Sequence, residues 1–219
     1  MADSRAALRS RVSRFIFAAD YGGALALLRR RRRESPEDFF VAYEYASVLG
    51  DYAESLPPRR RARAKRESIG LMRALLLRSR AEPDRRVLFA LKNEFYWQTG
   101  NRRAQYRLGA REARLGLGAG AYSQGVGAAW HAYELAARGR RKRARRWALR
   151  SVAAWARYRR IKPGYYNPYV HLALALGVLG RRDAAEGALG TAARLCGKPP
   201  GYREFAEIRD LLARLSTSN

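Results

Sequence analysis

The stretch YVHLALALGVLGRRDAAEGALGTAARL, which spans residues 169–195, contains two apolar segments separated by one polar turn. Within each segment the apolar residues recur at intervals of three and four positions, which is the spacing of one face of an α-helix. Gly180 marks the break, and Leu189 lies on the apolar face of the second segment. The small residues Ala173 and Ala185 would let the two helices cross closely. The stretch therefore predicts a pair of packed helices joined by a tight turn.

A similar turn signal recurs along the chain and suggests that the helix pair is repeated. The five turn segments are Ala19-Asp20-Tyr21, Gly50-Asp51-Tyr52, Gly100-Asn101-Arg102, Gly139-Arg140-Arg141 and Gly180-Arg181-Arg182. They are spaced 31, 50, 39 and 41 residues apart. Helical repeats typically have periods of 20–50 residues, so this spacing predicts an irregular array of about five helix pairs.

The pattern resembles the tetratricopeptide repeat (TPR), a helix–turn–helix unit of about 34 residues. The residues that carry the resemblance in the last pair are Tyr169, Leu172, Ala173, Leu176, Ala185, Leu189 and Ala192. The second half of the motif recurs as Ala24 and Leu28, as Ala104 and Leu108, and as Ala144 and Ala148. No single repeat carries the whole family pattern, so the resemblance depends on the recurrence.

The resemblance implies an all-α fold: a right-handed α-solenoid of about five irregular TPR-like helix pairs plus a C-terminal capping helix. It implies that residues 1–219 form a single helical repeat domain. The approximate repeats are 5–36, 37–83, 84–116, 121–162 and 165–197, and the capping helix is 201–216. A solenoid built from another type of helical hairpin is the alternative.

Two segments interrupt the regular spacing. The segment ESLPPRRRARAKRES, residues 54–68, contains two adjacent prolines and predicts a long loop or a helix that begins after Pro57-Pro58. The segment GLGAGAYSQG, residues 116–125, is rich in glycine and predicts a linker.

The N-terminal segment, residues 1–20, lacks the apolar core of a secretory signal. Its apolar residues fit one stripe of a packed helix, and these residues are Leu8, Val12, Phe15, Ile16 and Ala19. The segment is also rich in Arg and Ser, so an organelle-targeting peptide is the alternative. With a single cysteine, Cys196, the chain cannot form an internal disulfide, and a reducing, cytoplasmic location is expected.

Positive charge dominates the composition. The net charge is +26, and 40 of the 45 basic residues are Arg. Like charges at this density destabilise a compact fold unless an anionic partner lies nearby. Guanidinium groups bind phosphates and carboxylates bidentately, although a GC-rich genome, whose codons favour Arg and Ala, would also give this composition. We expect an anionic partner, namely RNA, the ribosome or an acidic protein, with an anionic membrane surface as a weaker alternative.

The charge is concentrated in ARGRRKRARRWALRSVAAWARYRRIK, residues 137–162, which holds twelve positive charges and no negative one. The spacing of Ala144, Trp147, Ala148, Val152 and Trp155 predicts an amphipathic helix with these residues in the core. The basic residues on the remaining arc are predicted to bind the anionic partner, and they are Arg141, Lys142, Arg143, Arg145, Arg146, Arg150 and Arg157. A second such cluster consists of Arg59, Arg60, Arg61 and Arg63. A merely solvated basic face is the alternative.

The TPR resemblance implies that the first helix of each pair lines an inner groove, and that the second helices form the outer side. The first helices are rich in aromatic residues and carry carboxylates, which suits the binding of a peptide or an amphipathic helix. The candidate groove residues are Phe40, Glu44, Glu94, Trp97 and Tyr133. The family's Lys, Asn and Arg clamp for C-terminal carboxylates has no match in this sequence.

No catalytic or metal-binding pattern stands out in the sequence. His131 and His171 are forty residues apart, and Cys196 has no partner motif. The glycine run at 116–120 follows a predicted helix rather than a strand and lacks the Lys-Ser/Thr of a phosphate loop. We therefore predict a protein that is not an enzyme, with no cofactor, no metal and no small-molecule substrate.

These observations predict a non-catalytic adaptor or scaffold. It would bind a protein segment in an aromatic groove and dock through a basic outer face onto an anionic partner. The first alternative is an RNA- or ribosome-binding protein that uses the charge of the nucleic-acid backbone. The second is attachment to an anionic membrane surface through the helix at 141–158, which carries two tryptophans and many arginines.

Overall fold

The structure, a computed structural model, describes residues 4–82, 84–199 and 201–217. These residues form eleven α-helices and one short 3₁₀ turn, and no β-strand occurs among them. The helices are α1 Arg5–Phe17, α2 Tyr21–Glu34, α3 Phe39–Glu54, α4 Pro58–Leu77, α5 Arg85–Gln98, α6 Arg102–Arg114, α7 Gly120–Ala137, α8 Arg141–Ile161, α9 Asn167–Val178, α10 Arg182–Cys196 and α11 Arg203–Thr217. The all-α prediction is confirmed.

Several helices begin at a side chain that accepts hydrogen bonds from the first turn. The Asp38 carboxylate accepts from the backbone N–H groups of Phe40 and Val41 at 2.9 and 3.2 Å. Ser4, Asp20, Asp84 and Asn101 act in the same way at the starts of α1, α2, α5 and α6. Such caps satisfy backbone donors that have no partner within the helix. By contrast, α8 and α10 begin after Arg140 and Arg181, whose side chains provide no cap.

The chain divides into two compact units, Met1–Gly100 and Asn101–Asn219. In the first unit, α1 packs on α2, α2 on α3, and α3 on α4, while α5 packs on α3 and α4. The core of this unit contains Leu28, Phe39, Met72 and Leu91. Helices that are consecutive in the sequence therefore pack side by side, as expected for helical hairpins.

In the second unit, α7 and α9 have the largest number of neighbours. Helix α7 packs on α6, α8 and α9, and α9 also packs on α8, α10 and α11. The most deeply buried large side chains of the unit are Trp155, Leu174, Leu189 and Phe205. The predicted C-terminal helix is confirmed, since α11 buries Phe205 and Ile208.

Glycines allow the close approach of α7 to its neighbours. A Cβ atom on Gly109 of α6 would lie 2.6 Å from the backbone oxygen of Gly120. A Cβ atom on Gly125 of α7 would lie 2.5 Å from the Trp155 ring of α8. The glycine-rich segment 116–125 is mostly helical, because α7 begins at Gly120. The linker predicted for this segment is limited to residues 116–119.

Two further predictions of local structure have different outcomes. The turn at Gly50-Asp51-Tyr52 is wrong, because α3 continues through these residues to Glu54. Gly50 is buried, and its missing side chain leaves the space that the Gln98 carboxamide occupies. The helix start after the two prolines is confirmed, with Pro57 before α4 and Pro58 as its first residue.

The predicted N-terminal helix is present as α1. Leu8 and Val12 are buried, Phe15 and Ile16 are half-buried, and Ala19 lies exposed in the following turn with φ of 56°. None of the helices in the described part of the chain combines the length and the apolar character that crossing a membrane requires.

Candidate functional site

Helix α8 separates an apolar face from a basic one. Its buried residues are Ala144, Ala148, Ser151, Ala154, Trp155 and Tyr158. The Ser151 hydroxyl donates to the backbone oxygen of Gly125 at 2.9 Å and ties α8 to α7. Three of the five predicted core residues are therefore buried, whereas Trp147 and Val152 are half-buried.

All seven basic residues of α8 predicted to bind an anion are exposed: Arg141, Lys142, Arg143, Arg145, Arg146, Arg150 and Arg157. The Arg150 guanidinium lies 4.7 Å from the centre of the Trp147 ring. Arg157 donates from Nη2 to Gln124 Oε1 at 2.8 Å. Among the described residues, none forms a hydrogen bond or ion pair with the side chains of Lys142, Arg143, Arg145 or Arg146. These four charges are available to a partner.

A cavity of about 440 Å³ lies at the N-terminal end of α8. Its wall is formed by the turns that end α7 and α9, and by Leu215 of α11. Arg141, Arg145 and Arg182 contribute the only charged side chains among its lining residues. The cavity is therefore a concave, positively charged continuation of the basic surface of α8.

The second predicted basic cluster lies in the first turn and a half of α4. Arg59, Arg60 and Arg63 are exposed, and Arg61 is half-buried. Arg61 donates from Nε to the backbone oxygen of Leu56 at 3.3 Å. Because this cluster belongs to the first unit and α8 belongs to the second, we treat the two as separate surfaces.

The charge is unevenly distributed between the two units. Residues 1–100 contain 21 Lys and Arg against 12 Asp and Glu, a net charge of +9. Residues 101–219 contain 24 against 7, a net charge of +17. The excess of positive charge is thus greatest in the unit that contains α8.

Two of the predicted groove residues lie beneath α1. Phe40 is only 2% exposed, and the guanidinium groups of Arg5 and Arg9 lie 5.4 and 4.9 Å from its ring centre. The Glu44 carboxylate is buried and accepts from Nε and Nη2 of Arg9 at 2.9 and 2.6 Å. Both side chains are therefore occupied by contacts within the first unit.

The other two groove residues of the first unit lie on α5 and are half-buried. The Glu94 carboxylate accepts from the carboxamide of Gln98 at 2.9 Å. Trp97 follows Phe95 and Tyr96, whose rings are 5.9 Å apart. Helix α5 thus carries three consecutive aromatic side chains that are partly accessible to solvent.

Tyr133, the groove residue of the second unit, lies on α7 beside Trp130, with the ring centres 6.2 Å apart. The Trp130 indole donates from Nε1 to Nδ1 of His171 at 3.3 Å. The guanidinium of Arg102 lies 5.6 Å from the Trp130 ring centre. Tyr133 is therefore the outer member of an aromatic cluster whose inner member is His171.

His171 is buried in this cluster and stacks on Trp155 at 5.9 Å. Burial, with a smaller effect from the positive charge of Arg102, lowers the pKa of His171 to about 4. The histidine is accordingly neutral at physiological pH, and Nδ1 accepts the Trp130 proton. This is a satisfied polar group inside the fold.

Two features of the second unit have no counterpart in the sequence predictions. Tyr122 lies within 5.4 Å of Tyr158 and 6.2 Å of Tyr165, and its hydroxyl donates to Oδ1 of Asn167 at 2.6 Å. The two adjacent tyrosines at 165–166 are the sequence feature that could have indicated this cluster of tyrosines. Glu112 is buried, its pKa is raised by that burial, and it accepts from the Ser123 hydroxyl at 2.9 Å.

The described residues contain no group of three or more His, Cys, Asp or Glu side chains arranged to hold a metal ion. His131 pairs with Glu134 at 3.7 Å and contacts Trp147, so the two histidines take part in separate clusters. The sulfur of Cys196 lies 3.7 Å from the backbone oxygen of Ala193.

No protein-family model matches the chain, and the comparison with curated proteins gives no match. Several solved structures are similar. TTC0263, a thermophilic TPR protein of Thermus thermophilus, is 18% identical, with 98% of this chain and 82% of that chain covered and a TM-score of 0.34. The MamA RS-1 ArsTM double mutant is 14% identical, with 100% and 97% covered and a TM-score of 0.30.

The TPR2AB domain of yeast Sti1, in its complex with pHSP90, is also 14% identical, with 98% of this chain and 86% of that chain covered and a TM-score of 0.30. The first and third of these structures are described as TPR proteins, which is the family that the sequence pattern resembles.

Proposed function

We propose that this protein is a non-catalytic adaptor. It binds a protein partner through half-buried aromatic side chains, with Trp97 of α5 as the candidate contact in the first unit and Tyr133 of α7 as a separate candidate contact in the second. It docks through the basic face of α8 onto an anionic partner. The basic face is the observation that carries the proposal. Its exposed cations occupy one side of a folded helix whose other side is anchored by Trp155, so the charge is held in a fixed position.

The basic face differs from an ordinary solvated helix surface. Exposed helices usually mix both signs of charge and gain stability from pairs at i,i+4. Helix α8 contains no Asp or Glu, and the 48 residues from Leu135 to Arg182 contain none either. The mutual repulsion of these cations lowers stability, so their arrangement on one face favours a role in binding.

The protein-binding role is assigned to the aromatic residues that are partly accessible. Trp97 on α5 and Tyr133 on α7 are half-buried and lie on helices that supply the core of their units. Glu94, one turn before Trp97, adds a carboxylate that would select a partner segment with a positive charge. Phe40 and Glu44 of α3 are occupied by Arg5 and Arg9 of α1 and do not contact the partner in this proposal.

Attachment to a membrane surface is less well supported. An interfacial helix inserts its apolar face into the lipid headgroups. The apolar face of α8 is buried against α7 and α9, and its exposed large apolar residues are Leu149 and Ile161, at 48% and 55%. These two side chains offer little apolar area for insertion.

The proposal is tested with the full chain as bait in a cell lysate treated with nuclease. Three baits are compared: the wild type, a double variant Trp97→Ala/Tyr133→Ala, and a triple variant Arg143→Glu/Arg145→Glu/Arg146→Glu. We expect a protein that stays bound at high salt to the wild type and to the triple variant. The double variant should lose it, because only this variant removes the aromatic contacts.

Phe17→Ala serves as the matched control for the double variant, because Phe17 is an exposed aromatic residue at the end of α1. It should retain the captured protein, and circular dichroism should show equal helicity in all variants. Equal capture by the wild type and the double variant would contradict the assignment of the aromatic residues. The assignment of α8 is read in a second capture at low salt from a lysate not treated with nuclease, where retention of all anionic material by the triple variant would contradict it.

A further inference from the structure

Four arginines form a narrow row on α8, which we call the α8 ridge: Arg143, Arg146, Arg150 and Arg157. At 3.6 residues per turn and 1.5 Å per residue, they fall within an arc of about 60° and extend over about 21 Å of helix axis. All four are exposed. The ridge is thus a row of four arginine residues along one side of a single helix, in which the Arg150 guanidinium lies over the Trp147 ring and the Arg157 guanidinium also donates to Gln124.

The residues beside the ridge leave room for a partner but do not recognise a sequence. The exposed face of α8 contains Leu149, Ala153, Ala156 and Ile161 besides its basic residues. It has no exposed amide or hydroxyl side chain, since Ser151 is buried. Direct reading of base edges uses such groups together with Arg, and positioning on a nucleic acid uses contacts to phosphate. The face is suited to phosphate contacts.

The density of the charges favours a nucleic acid over an acidic protein. A duplex carries one negative charge per about 1.7 Å of axis, so about 12 phosphate charges lie along the length of the ridge. An acidic helix with a carboxylate at every fourth residue presents one charge per about 6 Å on one face. Together with Lys142, Arg145 and Arg160 beside it, the ridge gives seven charges over about 27 Å of helix axis, or one per about 4 Å. This spacing is closer to the about 3.4 Å between phosphates along one strand of a duplex than to the about 6 Å of the acidic helix.

The aromatic residues of α8 exclude the usual way of binding single strands. Single-stranded nucleic acids are held by bases that stack on exposed rings. Trp155 and Tyr158 are buried, and the half-buried Trp147 contacts Tyr106 and His131 at 5.0 and 4.8 Å and has the Arg150 guanidinium over its ring. No ring on α8 is exposed, which favours a duplex.

The packing of α8 favours the A-form of a duplex. The major groove of B-DNA admits an α-helix that reads base edges with amide and hydroxyl groups as well as Arg. One side of α8 is packed on α7 and α9, and its other side presents Arg residues without an exposed amide or hydroxyl group. Duplex RNA is recognised largely by shape and by contacts to phosphates, which a line of long Arg side chains can make.

We infer that the exposed face of α8 binds the phosphate backbone of double-stranded RNA without reading its sequence. This inference rests on the proposed function, because it names the anionic partner onto which the adaptor docks.

The test measures binding of the full chain to a fluorescent 20-base-pair RNA duplex over a range of salt concentrations. The variant under test is Arg143→Gln/Arg146→Gln/Arg150→Gln/Arg157→Gln. If the four arginines neutralise four phosphates, the slope of log affinity against log salt should become shallower by about 3.6. Between 50 and 200 mM salt, the ratio of the wild-type affinity to the variant affinity should therefore fall about 150-fold.

The matched control is Arg103→Gln/Arg107→Gln/Arg111→Gln/Arg114→Gln on α6, which removes the same charge from four exposed arginines of the same unit. It should keep a slope close to that of the wild type. Equal losses in the two variants would show that overall charge, and not the α8 ridge, drives binding, and would overturn the inference. Circular dichroism and thermal unfolding should confirm that both variants are folded.

Three further probes identify the partner: a DNA duplex of the same sequence, the single-stranded RNA, and polyglutamate. We expect the RNA duplex to bind at least about tenfold more tightly than each of them. Equal or tighter binding of any of these probes would overturn the inference while leaving the docking role of α8 intact. If the full chain binds none of the four probes at low salt, the proposed docking role fails as well.

Discussion

The buried histidine of the second unit illustrates how single side chains are adjusted to this fold. His171 accepts a hydrogen bond from Trp130 and stacks on Trp155, which requires the neutral imidazole. Burial lowers its pKa to about 4, below the value of about 6.5 expected in the unfolded chain. The folded state therefore binds fewer protons than the unfolded state between these two values, and lowering the pH through this range weakens the fold.

This difference predicts that acidification from pH 7 to pH 5 removes about 2 kcal/mol of stability through His171 alone. The substitution His171→Gln retains a hydrogen-bond acceptor but does not titrate, so it should abolish this part of the pH dependence. Urea unfolding at both pH values measures the effect. His131→Gln is the comparison: burial also lowers the pKa of His131, so this variant should lose its own part of the pH dependence and keep the part that belongs to His171. An unchanged pH dependence in His171→Gln would refute the assignment.

Individual residues also show where reasoning from the sequence succeeded and failed. Ala144, Ala148 and Trp155 were correctly placed in the core because the helical period identifies one apolar face of α8. Phe40 and Glu44 look like groove residues in the sequence, yet α1 covers them with Arg5 and Arg9. The sequence does not specify which distant helix packs on a given face, so the burial of these two residues depends on tertiary structure.

At the scale of helices, glycines decide how closely α7 packs against its neighbours. Its glycine content alone assigned segment 116–125 to a linker, because glycine weakens isolated helices. In the fold, Gly125 faces the Trp155 ring and has no room for a Cβ atom. The packing of α7 on α8 compensates for the low helix propensity of these residues.

We therefore expect Gly125→Ala to destabilise the protein by about 1–3 kcal/mol, because the new methyl group overlaps a buried ring. Gly187→Ala is the matched control. Gly187 is exposed in α10, a Cβ atom added there would meet nothing within 4 Å, and alanine should stabilise by about 0.5–1 kcal/mol. Chemical denaturation measures both. Effects of the same sign would argue against the close contact between α7 and α8.

At the scale of the whole molecule, the net charge of +26 opposes folding through repulsion. Added salt should therefore raise the thermal midpoint, because the screening length falls from about 10 Å at 0.1 M to about 3 Å at 1 M. The α6 control variant reduces the net charge by four and should show a smaller gain. Differential scanning fluorimetry with sodium chloride measures this. A midpoint that falls with salt would mean that ion pairs such as Arg9–Glu44 outweigh the repulsion.

The sequence by itself determined the all-α class and the two-sided character of α8. These properties follow from the period of apolar residues and from short turns, which are local. Tertiary structure alone decided that Gly50 continues a helix, that α1 covers Phe40, and that Trp130, Trp155 and His171 meet in one cluster. The physical reason is that such contacts join residues far apart in the chain, and their free energy appears only when the helices pack.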